Sequence, residues 1–151
     1  MTDLIELNAK LIHFNTVSFN TLLVIDGTSL ALSFLECESF FFEVATKAPS
    51  VVCCRCSPNQ KAQIVEAIKK YTKQITCAVG DGGNDVGMIQ MASVGIGIVG
   101  KEGKQAAMAS DYSILKFENL NKLLLWHGRL SVKRTALLTQ FIFHRGNNSK
   151  K

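Results

Sequence analysis

The stretch 78–86 constrains the fold most, because an apolar run ends there in glycines, two aspartates and an asparagine. The apolar run itself, residues 75–79, is continuous and contains β-branched side chains, which is typical of a strand buried on both faces. Asn84 then suits a helix N-cap, and apolar residues recur after it at helical spacing. The sequence therefore predicts a strand, a loop and a helix, with Asp81 just past the strand and Asp85 in the first helical turn. In open α/β sheets, that edge is where ligands bind.

Short apolar runs alternate with helical patterns along the chain, which predicts an α/β fold in which helices cover both faces of a parallel sheet. The predicted strands are 22–25, 51–54, 75–79, 94–99 and 112–115. The predicted helices are a short one after a capping box at Asp3 and Glu6, one over 30–45, one beginning at Ser57-Pro58, the one after the loop, a small one over 103–109 and a long one from 118 to about 144. Residues 13–20 are predicted to be a connector. Asp26-Gly27 is a turn signal, in which Asp26 is either structural or part of an active site.

The length of 151 residues allows one domain with its own core and is short for two ordinary domains. We divide the chain into an N-terminal helix and connector (1–20), an α/β region (21–117), a long helix (118–145) and a disordered tail (146–151). The long helix has apolar residues throughout and needs a partner that the chain does not provide. No apolar run approaches the length of about 20 residues that spans a bilayer, and the acidic start is unlike a signal peptide. We therefore expect a chain that is neither secreted nor membrane-spanning.

Three of the five cysteines crowd the second predicted strand. Strand alternation predicts Cys54 and Cys56 on one face and Cys53 on the other, which is poor geometry for one zinc site. We expect buried apolar cysteines in a reducing compartment, with a metal or redox site as the alternative.

Much of the formal net charge of +5 lies late in the chain. The late basic residues are Lys122, Arg129, Lys133, Arg134, Arg145, Lys150 and Lys151. They indicate either an anionic surface nearby or a solvated helix face.

Two aspartates four residues apart around a strand-to-helix turn can share one Mg²⁺, because carboxylate oxygens suit that ion. A helix N-terminus and glycines that let backbone amides come close favour a phosphate beside the ion. Lys61 follows the second strand, so a parallel sheet brings it to the same edge as Asp81, where it would neutralise a transferring phosphoryl group. Arg55 could reach another part of a nucleotide. The alternatives are an ordinary turn, a capping Asn84 and a solvated Lys61.

Three segments together resemble the second half of the phosphorylation domain of P-type ATPases: 55–62, 80–90 and 95–113. Within them the likeness is to the P4 class, the phospholipid flippases. Residues 51–58, the Gly82-Gly83 pair, residues 100–106 and residues 132–134 resemble in particular the Neo1-like, class II branch. The similarity covers roughly residues 20 to 146.

The resemblance implies a Rossmannoid fold of the haloacid-dehalogenase type, in which ATP phosphorylates an aspartate whose hydrolysis drives lipid between leaflets. Position by position, it implies Asp81 and Asp85 at Mg²⁺, Asn84 and Asp85 near the phosphate and nucleotide, Lys61 at the phosphoryl group and Arg55 at the nucleotide. Lys61 and Asp81 would be the catalytic members. The helix from residue 118 resembles the stalk that leads into the fifth membrane helix. The implied cofactors are Mg²⁺ and ATP, and the implied location is the cytosolic face of a Golgi- or endosome-like membrane.

The sequence lacks the family's phosphorylated Asp-Lys-Thr-Gly-Thr motif, its Asp-Gly-Glu-Thr loop, a nucleotide-binding domain and a membrane span. Asp26-Gly27-Thr28 does not replace the first of these. We therefore expect a fragment or truncated product of a flippase, which alone binds Mg²⁺ and nucleotide weakly and self-associates through exposed helix faces. A non-catalytic binding or interaction remnant and a soluble phosphatase of the same superfamily are the alternative functions. Phospholipid would be a partner only of the full-length family protein, and no nucleic-acid partner is expected.

Overall fold

A computed structural model describes residues 2–17, 21–100 and 104–148. The chain forms two compact units, Met1–Ser113 and Ile114–Lys151. No helix in the described part of the chain is both long enough and apolar enough to cross a bilayer.

Helices and strands alternate through most of the chain, as the sequence predicts. In chain order the elements are α1 (Thr2–Val17), β1 (Leu22–Asp26), α2 (Gly27–Glu36), α3 (Glu38–Lys47), β2 (Ser50–Cys54), α4 (Pro58–Thr72), β3 (Cys77–Gly80), a 3₁₀ turn (Gly83–Asp85), α5 (Val86–Met91), β4 (Val94–Ile98), α6 (Gln105–Ala109), β5 (Tyr112–Ile114), α7 (Asn119–Lys122), a π-helical turn (Leu123–Gly128) and α8 (Arg129–Asn148).

The strands form two parallel-paired sheets. β1 pairs with β2 from Leu22 opposite Ser50 to Asp26 opposite Cys54. β3 pairs in parallel with β4, and β5 lies on the other side of β4. Helix α4 connects β2 to β3, which are in different sheets. Helix α4 begins shortly after β2, so its first turn lies beyond the carboxyl end of that strand. Several of the predicted site residues lie near this turn.

The main core lies in the first unit, between the β1–β2 sheet and helices α1 to α4. Its buried members are Leu11, Leu23, Ile25, Leu30, Phe41, Phe42, Val44 and Ala67. The rings of Phe42 and Tyr71 stack at 5.3 Å between centroids, which joins α3 to α4. On the other face of the same sheet, Leu22 and Val24 are more than half exposed. The core therefore holds α4, and with it the site, against the inner face of the sheet.

Two predicted segments have the wrong bounds. The helix predicted over 30–45 is two helices that break at Cys37, where φ is −144°. The break turns α3 so that Phe41 and Phe42 are buried. Helix α1 runs to Val17, into the predicted connector, and residues 18–20 lie outside the described residues. The capping box cannot be compared, since the Asp3 side chain also lies outside them.

Asp26 does not form the predicted turn but is the N-cap of α2. Its carboxylate accepts hydrogen bonds from the Ser29 N–H at 3.2 Å and from the Thr28 hydroxyl. These hydrogen bonds from Ser29 and Thr28 lower the pKa of Asp26 to about 2. Asp26 is therefore ionised at neutral pH and satisfies the Ser29 amide in the first turn of the helix.

The cysteine prediction is also wrong, both in burial and in facing. Cys54 and Cys77 are exposed, whereas the other cysteines are partly buried. Cys53 and Cys56 both pack against the core, although strand alternation would put them on opposite faces. The strand ends at Cys54, and Arg55 has a left-handed φ of 53°, so strand alternation does not extend to Cys56.

The second unit continues as a helix from α7 into α8. The prediction of a long helix from about residue 118 agrees with this, and a π-helical turn interrupts it at Leu123–Gly128. Its apolar side chains are largely exposed, among them Trp126 and Phe143. Helix α8 is described to Asn148, and residues 149–151 lie outside the described part.

Candidate functional site

The predicted loop lies between β3 and α5, and Lys61 reaches it from α4. Lys61 Nζ donates to Asp85 Oδ1 at 2.8 Å. The Asp81 backbone N–H donates to Asp85 Oδ2 at 3.3 Å. The first turn of α4 and the loop after β3 therefore meet, although β2 and β3 lie in different sheets.

Asp85 is a buried carboxylate, only 7% exposed. Burial by itself would raise the pKa of Asp85, but the hydrogen bond from Lys61, the Asp81 amide and the Lys61 charge together lower it below its usual value. Asp85 is therefore ionised at neutral pH and paired with a partly exposed lysine. The pair holds the Lys61 ammonium group beside the loop after β3.

The turn before α5 differs from the prediction. The Asp85 N–H donates to Gly82 O at 3.1 Å, which closes a 3₁₀ turn over Gly83–Asp85. Helix α5 therefore begins at Val86, with Asp85 rather than Asn84 at the N-cap position. Asn84 is exposed on the 3₁₀ turn.

Gly80 is required by close packing against Asp85. A Cβ at Gly80 would lie 2.4 Å from the Cβ of Asp85, much closer than real Cβ contacts. The absence of a side chain at Gly80 lets the buried carboxylate fold back against the end of β3.

The Asp81 side chain is exposed and directly follows β3. Within the described ranges, no group of three or more His, Cys, Asp or Glu residues is arranged to hold a metal. Mg²⁺ does not need such a group, because it is commonly bound by one or two carboxylates, waters and a substrate phosphate. Asp81 and the neighbouring Asp85 fit that minimal donor set, and Mg²⁺ there would neutralise charge on a phosphate.

Arg55 lies on the neighbouring β2–α4 turn. A cleft of about 660 Å³ is lined by this turn and by the start of α2. Its lining includes Asp26, Gly27, Thr28, Arg55, Ser57 and Gln60. A Cβ at Gly27 would lie 2.7 Å from the Arg55 carbonyl oxygen, so the two turns touch. The structure thus brings Lys61, Asp81, Asn84 and Asp85 together and places Arg55 on this adjoining turn.

Gln60 is the residue that the sequence reasoning missed. Its Oε1 accepts from the Ser57 N–H at 2.8 Å, and its N–H donates to Ser57 Oγ, which completes a capping box. Its Nε2 also donates to Gly27 O at 2.7 Å. The Ser-x-x-Gln spacing is a sequence signal for the first contact, but the contact with Gly27 depends on tertiary structure. Gln60 therefore fixes the turn that carries Arg55 and Lys61.

The family model and the relatives that match this chain are all of one kind. Residues 107–147 match the family model described as Phospholipid-translocating P-type ATPase C-terminal. The chain is 52% identical over 135 residues to the phospholipid-transporting ATPase NEO1 of Saccharomyces cerevisiae, which covers 89% of the chain and 12% of the relative. It is 56% identical over 124 residues to the probable phospholipid-transporting ATPase IIB of Homo sapiens, covering 82% of the chain and 11% of the relative.

A plant relative shows the same likeness. Phospholipid-transporting ATPase 2 of Arabidopsis thaliana is 49% identical over 122 residues, covering 81% of the chain and 11% of the relative. The chain that folds into this α/β unit and long helix is thus similar in sequence to phospholipid-transporting ATPases of a yeast, a mammal and a plant. The chain belongs to the phospholipid-transporting P-type ATPases, in their Neo1-like branch. It spans about 12% of the length of the NEO1 relative.

Proposed function

We propose that this chain supplies the Mg²⁺ and phosphate/nucleotide part of the phosphorylation site of an ATP-driven phospholipid translocase with a haloacid-dehalogenase-like fold. The observation that carries the proposal is the 2.8 Å contact between Lys61 and Asp85 beside the exposed Asp81. A lysine, a free carboxylate and a glycine-rich turn at one sheet edge are the groups that phosphoryl transfer requires.

Each residue of the site has a role that follows from its position. Asp81 is the exposed carboxylate for Mg²⁺, with Asp85 behind it, and the bound ion would supply charge neutralisation on the phosphoryl oxygens. Lys61 gives the phosphoryl contact, and the buried Asp85 orients its ammonium group. Asn84 and Asp85 border the phosphate and nucleotide, and Arg55 contacts the nucleotide from the adjoining turn.

Nucleotide binding is the experiment that tests this function. Mg²⁺ with a non-hydrolysable ATP analogue should raise the melting temperature of the chain, because a ligand at 100 times its Kd stabilises by about 2.7 kcal/mol. Arg55→Ala should reduce the shift, and Asp81→Asn should remove its dependence on Mg²⁺. Glu66→Gln is the matched control, since this exposed α4 residue also loses one negative charge. An equal shift in all four proteins, or none in the parent, would favour the non-catalytic interaction module.

The helical second unit is proposed to lie next to the cytosolic face of an intracellular membrane of Golgi or endosome type. Residues 119–148 contain five Lys and Arg residues and no Asp or Glu. The formal charge of this segment is therefore the same as the net charge of +5 of the whole chain. Exposed apolar side chains accompany these charges, which is typical of helices at anionic lipid surfaces. The chain should cosediment with phosphatidylserine vesicles and not with phosphatidylcholine vesicles. Sedimentation without lipid would indicate self-association instead.

A further inference from the structure

An apolar cavity lies in the main core, lined by residues of β2, α3 and α4. Its volume is about 340 Å³. Leu30, Phe41 and Phe42 form its buried base, and none of them is more than 2% exposed. Val51 also lines the cavity and is 38% exposed, which places the mouth of the cavity at this strand. The cavity is therefore a recess that a small molecule can enter from the surface.

Aromatic contacts hold the base of the cavity in place. The ring of Phe42 stacks on Tyr71 of α4 at 5.3 Å between centroids. The same ring meets Phe41 edge-on at 5.2 Å. These contacts fix α3 against α4, so the rings are not free to turn into the space. Other lining residues, Ala45 and Cys53, have short side chains that leave it open.

The polar side chains of the lining are hydrogen-bonded within their own helices or uncharged. Thr46 Oγ1 donates to Phe42 O at 2.7 Å. Thr72 Oγ1 donates to Ile68 O, also at 2.7 Å. Burial raises the pKa of the Cys53 thiol to about 11, so this thiol is neutral at pH 7. The other lining residues are aliphatic or aromatic. A charged or strongly hydrogen-bonding ligand would therefore lose its hydration in the cavity without compensation.

We propose that this cavity binds a small uncharged hydrocarbon group. Its volume lies at the lower end of the range of about 300–1,000 Å³ that is typical of small-molecule sites. An engineered cavity of about 150 Å³ in another protein, likewise lined by Leu, Ile and Phe side chains, takes up benzene. The cavity of this chain is larger, so one aromatic ring or a short alkyl chain fits. The proposal does not depend on the proposed nucleotide site.

The ligand would contact the helix that carries part of the candidate site. Ile64 and Ile68 line the cavity from α4, and Lys61 lies in the first turn of the same helix. A ligand that binds the folded chain and not the unfolded chain raises the melting temperature. Occupation of the cavity should therefore stabilise the packing of α4 against α3 and β2.

The test titrates the chain with toluene and with phenol, which is similar in size and carries a hydroxyl group. Methyl NMR of Leu30 and Ile68 reports binding in the cavity, and the melting temperature reports stabilisation. Toluene should shift both methyl signals and raise the melting temperature. Phenol should bind about tenfold more weakly or worse, because its hydroxyl group would be buried without a partner.

Val51→Phe and Val52→Phe are a matched pair of variants. Both valines are in β2 and are similarly exposed, at 38% and 42%, but only Val51 is among the residues that line the cavity. Val51→Phe should weaken toluene binding about tenfold or more, since one methylene in an apolar pocket already changes affinity about 10- to 200-fold. Val52→Phe should bind toluene as the parent does. If Val51→Phe does not fold, Ala45→Leu narrows the cavity from α3 instead and should weaken binding in the same way.

Dihexanoylphosphatidylcholine, kept below the concentration at which it forms micelles, distinguishes two sources of the hydrocarbon group. A shift of the same methyl signals that Val51→Phe abolishes would assign the cavity to lipid acyl chains. A response to toluene alone would assign it to free apolar molecules.

Three results would overturn the proposal. The first is a parent whose methyl signals and melting temperature do not respond to toluene. The second is phenol binding as tight as toluene binding. The third is an equal loss of toluene binding in Val51→Phe and Val52→Phe, since that would place the bound toluene outside the cavity.

Discussion

Gly80→Ala should destabilise the chain by about 3 kcal/mol, the upper part of the range for overpacking a buried position. The new methyl group would lie 2.4 Å from the Cβ and 2.9 Å from the Cγ of Asp85. Asp85 cannot swing aside without breaking its bonds to Lys61 and to the Asp81 amide. The backbone of the loop must therefore move, and the free energy of unfolding measured in urea should fall by that amount.

Gly87→Ala is the matched control for this substitution. A Cβ at Gly87 would have Ala62 Cβ as its nearest neighbour at 3.7 Å, an ordinary contact. Because Gly87 lies within α5, alanine there should be neutral or stabilise by about 0.5–1 kcal/mol. Equal effects of the two substitutions would mean that the close approach of Gly80 to Asp85 is not what limits this loop.

Lys61→Met should lower the free energy of unfolding at pH 7 by about 1–3 kcal/mol, because it leaves a buried carboxylate without its charged donor. It should also change how stability depends on pH. In the parent the pKa of Asp85 is lowered, so the ionised carboxylate stabilises the fold above its unfolded pKa of about 4 and this contribution is lost as the pH falls. Without Lys61, burial is expected to raise the pKa of Asp85, and stability should then decrease as the pH rises through that pKa.

Lys70→Met is the control on the same helix. Lys70 pairs with Glu38 at 3.1 Å, but its side chain is mostly exposed, and exposed pairs contribute about 0–1 kcal/mol. Carboxyl NMR of Asp85 across the pH range measures the shift directly. A raised Asp85 pKa in Lys61→Met alone supports the pairing. An unchanged value in both variants would contradict it.

The sequence was sufficient for the elements that depend on local pattern. Strand β3, the position of Asp81 after it and the Ser57-Pro58 helix start follow from apolar runs and capping residues. These predictions succeed because each needs only the period of a strand or helix and its capping residues. Lys61 does contact the loop, but β2 and β3 lie in different sheets, so the rule that parallel strands of one sheet end at one edge does not explain this contact.

The failures share a different origin, namely tertiary contacts that override local preference. Asn84 loses the N-cap position because Gly82 and Asp85 close a 3₁₀ turn. The helix breaks at Cys37, and α3 after the break buries Phe41 and Phe42. A left-handed Arg55 cannot be anticipated from its type, since such conformations favour glycine or asparagine. The common packing of Cys53 and Cys56 against the core therefore does not follow from the sequence pattern.

The assignment of residues 80–85 as a Mg²⁺ and phosphate loop is tested most directly by NMR. The chain is titrated with Mg²⁺ and inorganic phosphate while the backbone amides from Gly80 to Asp85 are followed, in the parent and in Asp81→Asn. Asp81 is exposed and its side chain accepts no hydrogen bond in the described part of the chain, so the substitution should leave the fold intact. We expect these amides to shift in the parent and to shift much less in Asp81→Asn. A parent that responds no more than the variant would contradict the assignment.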